Sequence, residues 1–151
     1  MNAAYLLDVN VLLALAWPTN VNHRYAQRWF RDHMKAGWAT CPITQAGFVR
    51  LSSNRFVTED ALRPTATISV LESNLKSPYH EFWADTLTLP EAVALFHNRI
   101  SGHGQITDAY LLGLAMQRKA RLVTFDRRIS SLLPTGTRKS DCIVELSARV
   151  S

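Results

Sequence analysis

The stretch QITDAYLLGLAMQRKARLVTFD, residues 105–126, sets two unlike periodicities side by side and places an aspartate in each. Asp108 opens a run, DAYLLGLAMQ, whose apolar residues keep helical spacing. After the basic Arg118, Lys119 and Arg121, the short apolar run LVTF reads as a buried strand and ends at Asp126. Nearer the N-terminus a third aspartate, Asp8, closes another such run, YLL. Ligands of open α/β sheets collect at the carboxyl ends of the strands. Two strand-ending carboxylates and one helix-start carboxylate thus converge on one cleft, the arrangement of a divalent-metal site.

Working outward, residues 4–7 form a strand that feeds directly into a helix over 10–17, stopped at Pro18. This puts Asp8 and Asn10 at one edge of the sheet. A second helix runs over 23–34, where Tyr25, Ala26, Trp29 and Phe30 recur at three and four, and Gly37 ends it. Residues 38–42 are a second strand, and Thr44 caps a helix carrying Gln45, Gly47 and Arg50. The pattern over 58–80 is loosely helical, broken at Pro64 and Pro78, and part of it could protrude as an arm. Thr86–Leu89 is the third strand, with Pro90 in the first turn of a helix over 90–98. After the loop 101–105, the helix from Asp108 and the strand 121–125 follow. A helical turn at 130–133 and an edge strand at 142–146 complete the order β-α-α-β-α-α-α-β-α-α-β-α-β. That order predicts a mostly parallel sheet covered by helices.

At 151 residues the chain is expected to be one domain, 1–151, with a sizeable core. Hydrophobic residues make up 47% and charged residues 19%, which excludes a disordered chain. The net charge of +5 favours approach to a polyanion, although the basic runs, Arg127-Arg128 among them, also read as a solvated face. Cys41 and Cys142 lie far apart without metal spacing, so buried free thiols and a reducing compartment are expected. No apolar run is long enough to span a bilayer, and Asp8 interrupts the N-terminal one, so a cytoplasmic chain is expected.

Asp8, Asp108 and Asp126 offer the hard oxygens that Mg²⁺ and Mn²⁺ take. Without such an ion, their mutual repulsion should keep at least one from ionising. Each also has a purely structural reading, Asp108 as a helix-start acid and the others as acceptors of loop N–H groups. Asn10 could orient a carboxylate or simply cap a helix. Thr124 lies on the face of Asp126 and could support it. Arg50 could bind phosphate or pair with an acid. His103, between two glycines, reads either as a mobile acid or base or as an exposed loop histidine. A Walker or GxGxxG glycine pattern is missing, as is a GxSxG elbow, which argues against nucleotide-binding and serine-hydrolase chemistry.

Four segments together resemble a PIN domain of the VapC toxin type: LLDVNVLLAL at 6–15, TCPITQAGFVRL at 40–51, ITDAYLLGLA at 106–115 and LVTFDRR at 122–128. The resemblance implies a PIN-like three-layer α/β sandwich with an acidic pocket for Mg²⁺ or Mn²⁺. The family aspartates fall on Asp8, Asp108 and Asp126, with the supporting asparagine on Asn10 and the hydroxyl on Thr124. Where the family usually has glutamate this chain has Gln45, a neutral oxygen in place of a charged one, for which Glu59 or Asp60 could compensate. The implied activity is toxin-type endoribonuclease cleavage of RNA, with Arg127 and Arg128 drawing the backbone in. The implied partners are a VapB-like antitoxin, whose C-terminal segment covers the pocket, and a second copy of the chain in a homodimer. A DNA-directed or structure-specific nuclease is the competing enzyme reading. A PIN-like RNA-binding or interaction module without catalysis is the competing reading that Gln45 favours.

Overall fold

The computed structural model describes residues 2–59 and 61–147. Five short strands form its sheet: β1 (Tyr5–Leu7), β2 (Trp38–Thr40), β3 (His80–Phe82), β4 (Arg121–Thr124) and β5 (Ile143–Glu145). All four neighbouring pairs are parallel, in the order β3-β2-β1-β4-β5. Parallel strands need crossovers, and helices supply them. These are α1 (Val9–Ala16), α2 (His23–His33), α3 (Pro42–Ser52), α4 (Pro64–Leu75), α5 (Leu89–Val93) and α6 (Ile106–Gln117).

The pleat decides what each helix layer covers. Leu7, Trp38 and Val123 face α1 to α4, where Val11, Leu12 and Phe48 complete one core. Leu6, Ala39 and Leu122 face the other way, against α5, α6 and the 3-10 turn Arg127–Leu132. The result is a three-layer sandwich. Seven consecutive residues of α6, Ala109–Ala115, are buried, so this helix is enclosed rather than laid on the surface. Gly113 makes that possible: a Cβ there would lie 1.8 Å from the Ala92 carbonyl oxygen of α5. A second close approach joins α3 to α1, because a Cβ on Gly47 would lie 2.7 Å from Val9 Cγ2.

The strand order reverses between β1 and β4, with β2 and β3 on one side and β5 on the other. Leu7 pairs with Val123 across this seam, so the next residues, Asp8 and Thr124, emerge together at its carboxyl end. Such a reversal opens a crevice above the strands, the usual place for a ligand in this architecture.

Several expected elements shift. The third strand is His80–Phe82, beginning at the last residue of the region expected to be helical, while Thr86–Leu89 is not a strand. Thr88 instead caps α5, forming a reciprocal pair of bonds with Glu91, with Pro90 within the first turn. The helix expected over 90–98 is α5 followed by a 3-10 segment, Ala94–Arg99. Cys41, not Thr44, is the cap of α3; Pro42 is the first helical residue, and Thr44 accepts from the Cys41 N–H. Pro64 opens α4 rather than breaking it. Both cysteines are free and buried, as expected. Among the described residues, no helix is long and apolar enough to cross a membrane.

Candidate active site

Asp8 is the best-held member of the cleft. It caps α1, taking the Val9 N–H on Oδ1 at 2.7 Å. Its Oδ2 accepts from Thr124 Oγ1 at 2.7 Å and from Asn10 Nδ2 at 3.4 Å. Only 6% of the residue is exposed. Burial raises its carboxyl above the ordinary range, Asp126 adds to this, and the Thr124 and Val9 bonds oppose it.

Thr124, fully buried, is the junction. It donates to Asp8 while its oxygen accepts from the Asp126 N–H at 3.0 Å and from Asn10 Nδ2 at 3.2 Å. Asn10 closes the loop by accepting from the Phe125 N–H at 3.2 Å. The start of α1 and the chain beyond β4 are therefore stitched together by three side chains. Every polar atom in this stitch faces a complementary one, the condition for a buried network to rigidify rather than weaken.

Asp126 points into a different set of contacts. Its Oδ1 accepts from the Arg128 N–H at 2.9 Å and Nε at 3.1 Å, and its Oδ2 from Nη2 at 3.0 Å. These bonds hold its carboxyl below the ordinary range. The guanidinium itself is 89% exposed, so the pair is a screened surface contact. The side chain of Asp108, the third residue of α6, has no hydrogen bond or ion pair among the described residues. Burial pushes it up to about 6, with Asp8 and Asp126 adding and Arg128 opposing.

The expected residues divide accordingly. Asp8, Asn10, Thr124 and Asp126 are in one hydrogen-bonded set, with Arg128 on it and Asp108 coupled to it through charge. Gln45 lies outside the set; its Nε2 donates to Thr40 Oγ1 at 2.9 Å. Arg127 is exposed and reaches Ser147 at 3.5 Å. His103 is exposed in the 3-10 turn that leads into α6, close in sequence to Asp108. Arg50 is exposed in the last turn of α3, more than a turn beyond Gln45. Glu59 is placed with Leu13, Trp17 and Val21 around the far end of α1, away from the acidic edge, and Asp60 lies outside the described residues. The sequence reading missed Thr40 of β2, which bonds Gln45, and His80 of β3, which bonds Thr40.

Among the described residues, no three or more His, Cys, Asp or Glu side chains stand together as a ready cation site. Two of the three carboxylates are occupied by protein donors, Asp8 by Thr124 and Val9 and Asp126 by Arg128. The donors are nonetheless all oxygens, and Asp108, whose carboxyl burial and its neighbours push up, is what a cation would relieve. The donor chemistry fits a hard divalent ion, with Arg128 as the group to be moved aside.

The PIN domain family model matches residues 5–132. This chain is a PIN domain of the VapC toxin family. Ribonuclease VapC39 of Mycobacterium tuberculosis is 44% identical over 131 residues, covering 87% of this chain and 94% of the relative. Ribonuclease VapC44 of the same species is 39% identical, covering 89% and 94%. In fold, the PIN domain here resembles the crystal structure of M. tuberculosis VapC20, a sarcin-ricin loop cleaving toxin, with a TM-score of 0.63 at 15% identity, covering 89% and 97%. It likewise resembles VapBC2 from Rickettsia felis bound to a promoter DNA fragment, with a TM-score of 0.59 at 16% identity, covering 95% and 98%.

Proposed function

We propose that this PIN domain is a toxin-type, Mg²⁺- or Mn²⁺-dependent endoribonuclease that hydrolyses RNA phosphodiester bonds. The observation that carries the reading is the meeting of Asp8, Asn10, Thr124 and Asp126 where the strand order reverses, with Asp108 coupled to them through charge. Kinship at 44% identity with a ribonuclease supports RNA as the substrate class.

Asp8, Asp108 and Asp126 would hold the ion, which when bound supplies an activated water and offsets charge at the phosphate. Thr124 and Asn10 keep Asp8 aimed by fixing its Oδ2. Arg128, once released from Asp126, and Arg127 are cations at the rim of the cleft suited to a phosphodiester backbone. His103 stands on the loop at the start of α6, where it can donate to a phosphate oxygen. Arg50 is a more distant backbone contact. Gln45 contributes a neutral oxygen where the usual glutamate would bring a charge.

A VapB-like antitoxin covering the acidic pocket is the partner this reading requires, and an arginine from it would compete with Arg128 for Asp126. Exposed Leu89, Leu95 and Ile106 on the α5–α6 side supply apolar surface for a homodimer. The deciding experiment is incubation of total RNA and matched DNA with the purified chain in Mg²⁺, Mn²⁺ or EDTA, beside Asp8→Asn. Discrete RNA fragments that need both metal and Asp8 are expected. Cleavage that survives EDTA and Asp8→Asn would sink the assignment, and preferential DNA cleavage would move it to the deoxyribonuclease class.

A further inference from the structure

Gln45 is held at one end of a polar chain that runs across two strands. Its Nε2 donates to Thr40 Oγ1 at 2.9 Å, and Thr40 Oγ1 lies 2.8 Å from His80 Nε2. Thr40 is fully buried, so its hydroxyl has no water with which to exchange partners. The main-chain carbonyl of Leu75, the last residue of α4, also acts on the ring. Parallel pairing of Trp38 with His80 and of Thr40 with Phe82 fixes the two strands' register, so the chain is built into the sheet.

The direction of the bonds follows from the Gln45 end, where the Thr40 oxygen accepts from the amide nitrogen and the hydroxyl hydrogen is left for His80. With Nε2 taking the Thr40 hydrogen, a neutral ring carries its own hydrogen on Nδ1, where a carbonyl such as that of Leu75 can accept it. Burial disfavours the charged ring, against weaker opposing pulls from the Leu75 carbonyl and from Glu81, and a neutral ring then leaves Nε2 as an acceptor. The Thr40 hydroxyl donates to it, and the Thr40 oxygen accepts from the Gln45 amide. Glutamine is an ambiguous ligand, with an acceptor and a donor of nearly the same shape. Here the donor end is consumed, and the carbonyl Oε1 is the end without a partner among the described residues.

We infer that Thr40 and His80 are positioning residues that fix Gln45 as an oxygen donor to the cleft, its nitrogen tied back to the sheet. The inference rests on the metal-dependent reading above and explains how a neutral residue can serve where the family usually has glutamate. It also has a consequence for restoring that glutamate. A carboxylate only accepts, so Gln45→Glu requires Thr40 to donate to it and His80 Nε2 to become a donor in turn.

Two measurements on the full chain test this. The first is ¹⁵N NMR of the His80 ring near neutral pH. A neutral ring with hydrogen on Nδ1 is expected, with hydrogen appearing on Nε2 in Gln45→Glu; an Nε2–H tautomer in the unmodified chain would overturn the proposal. The second is calorimetric Mn²⁺ binding to Thr40→Val, Thr40→Ser, His80→Leu and His80→Gln, each checked for cooperative melting. Roughly tenfold weaker binding is expected for Thr40→Val and His80→Leu. Thr40→Ser, which keeps the hydroxyl, and His80→Gln, which keeps an acceptor, should bind within a few-fold of the parent. Equal affinity in parent, Thr40→Val and His80→Leu overturns the positioning role while leaving the metal reading intact. Absence of any Mn²⁺ binding to the parent sinks the metal reading, and with it the oxygen-donor role, whatever the ring tautomer.

Discussion

Thr124 Oγ1 donates to Asp8 Oδ2 at 2.7 Å across the seam where the strand order reverses, and the same oxygen receives the Asp126 N–H. One hydroxyl thereby sets two of the three carboxylates. Replacing it by an isosteric methyl, Thr124→Val, leaves a buried carboxylate and a backbone N–H short of partners. A loss of about 2–3 kcal/mol in urea unfolding is expected, together with weaker Mn²⁺ binding. Thr124→Ser should recover most of both. Unchanged stability in Thr124→Val would show that the bond contributes nothing net.

Asp108 is predicted to weaken the fold at neutral pH. Its carboxyl rises from 3.8 to about 6, so the folded chain holds this proton more tightly than the unfolded one. The stabilisation it provides is full below 3.8 and is lost as pH rises through about 6. Asp108→Asn should therefore raise Tm in alkaline buffer, by about 1–2 kcal/mol in stability after discounting for solvent screening. The gain should vanish below about pH 4. A Tm difference that does not change with pH would contradict the origin proposed for it.

Arg128 is predicted to act on metal and RNA in opposite senses. Its guanidinium and main-chain N–H occupy the Asp126 carboxylate. Arg128→Ala should tighten Mn²⁺ binding a few-fold in the absence of RNA. The same variant should weaken RNA binding and lower the salt dependence of that binding by about one ion. Titration calorimetry and filter binding across salt concentrations read the two effects separately. Weaker Mn²⁺ binding in Arg128→Ala would mean the arginine orients Asp126 rather than competing for it.

The packing of α6 makes Gly113→Ala strongly destabilising. The added methyl would fall 1.8 Å from the Ala92 carbonyl oxygen, a backbone atom that cannot turn aside. We expect a loss of about 3 kcal/mol or more, since α5 must move off α6. Differential scanning calorimetry would show it as a drop of many degrees, and a shift of a degree or less would refute the contact.

Much of this could be read from residues alone because the cleft is built where periodicity changes. Asp8 stands where a strand run becomes a helix, and Asp126 where a strand ends, so both carboxylates announce their position on the sheet edge. β3 was not legible for the opposite reason. His80-Glu-Phe82 has no apolar run, lies at an edge and is three residues long, so pairing with β2 rather than propensity makes it a strand. Thr86–Leu89 has the β-branched content of a strand, but Thr88 and Glu91 bond reciprocally and start a helix. Pro42 marks Cys41 as the cap of α3, a signal that the attractive capping residue Thr44 obscured. The Gln45–Thr40–His80 chain joins residues up to 40 apart in sequence, and it becomes visible only once β3 is in place.

The missing side chain at Gly47 ties the mechanics of the cleft to its chemistry. α3 lies against α1 at Val9, the residue after Asp8, on the helix turn that follows Gln45. Asp8 and Gln45 are thus mounted on two levers pressed together close to both of them. A methyl at that point would leave every polar group of the cleft in the sequence and still change the spacing between them. For this chain, the width of the cleft is a packing variable, adjustable from inside the fold without touching a ligand.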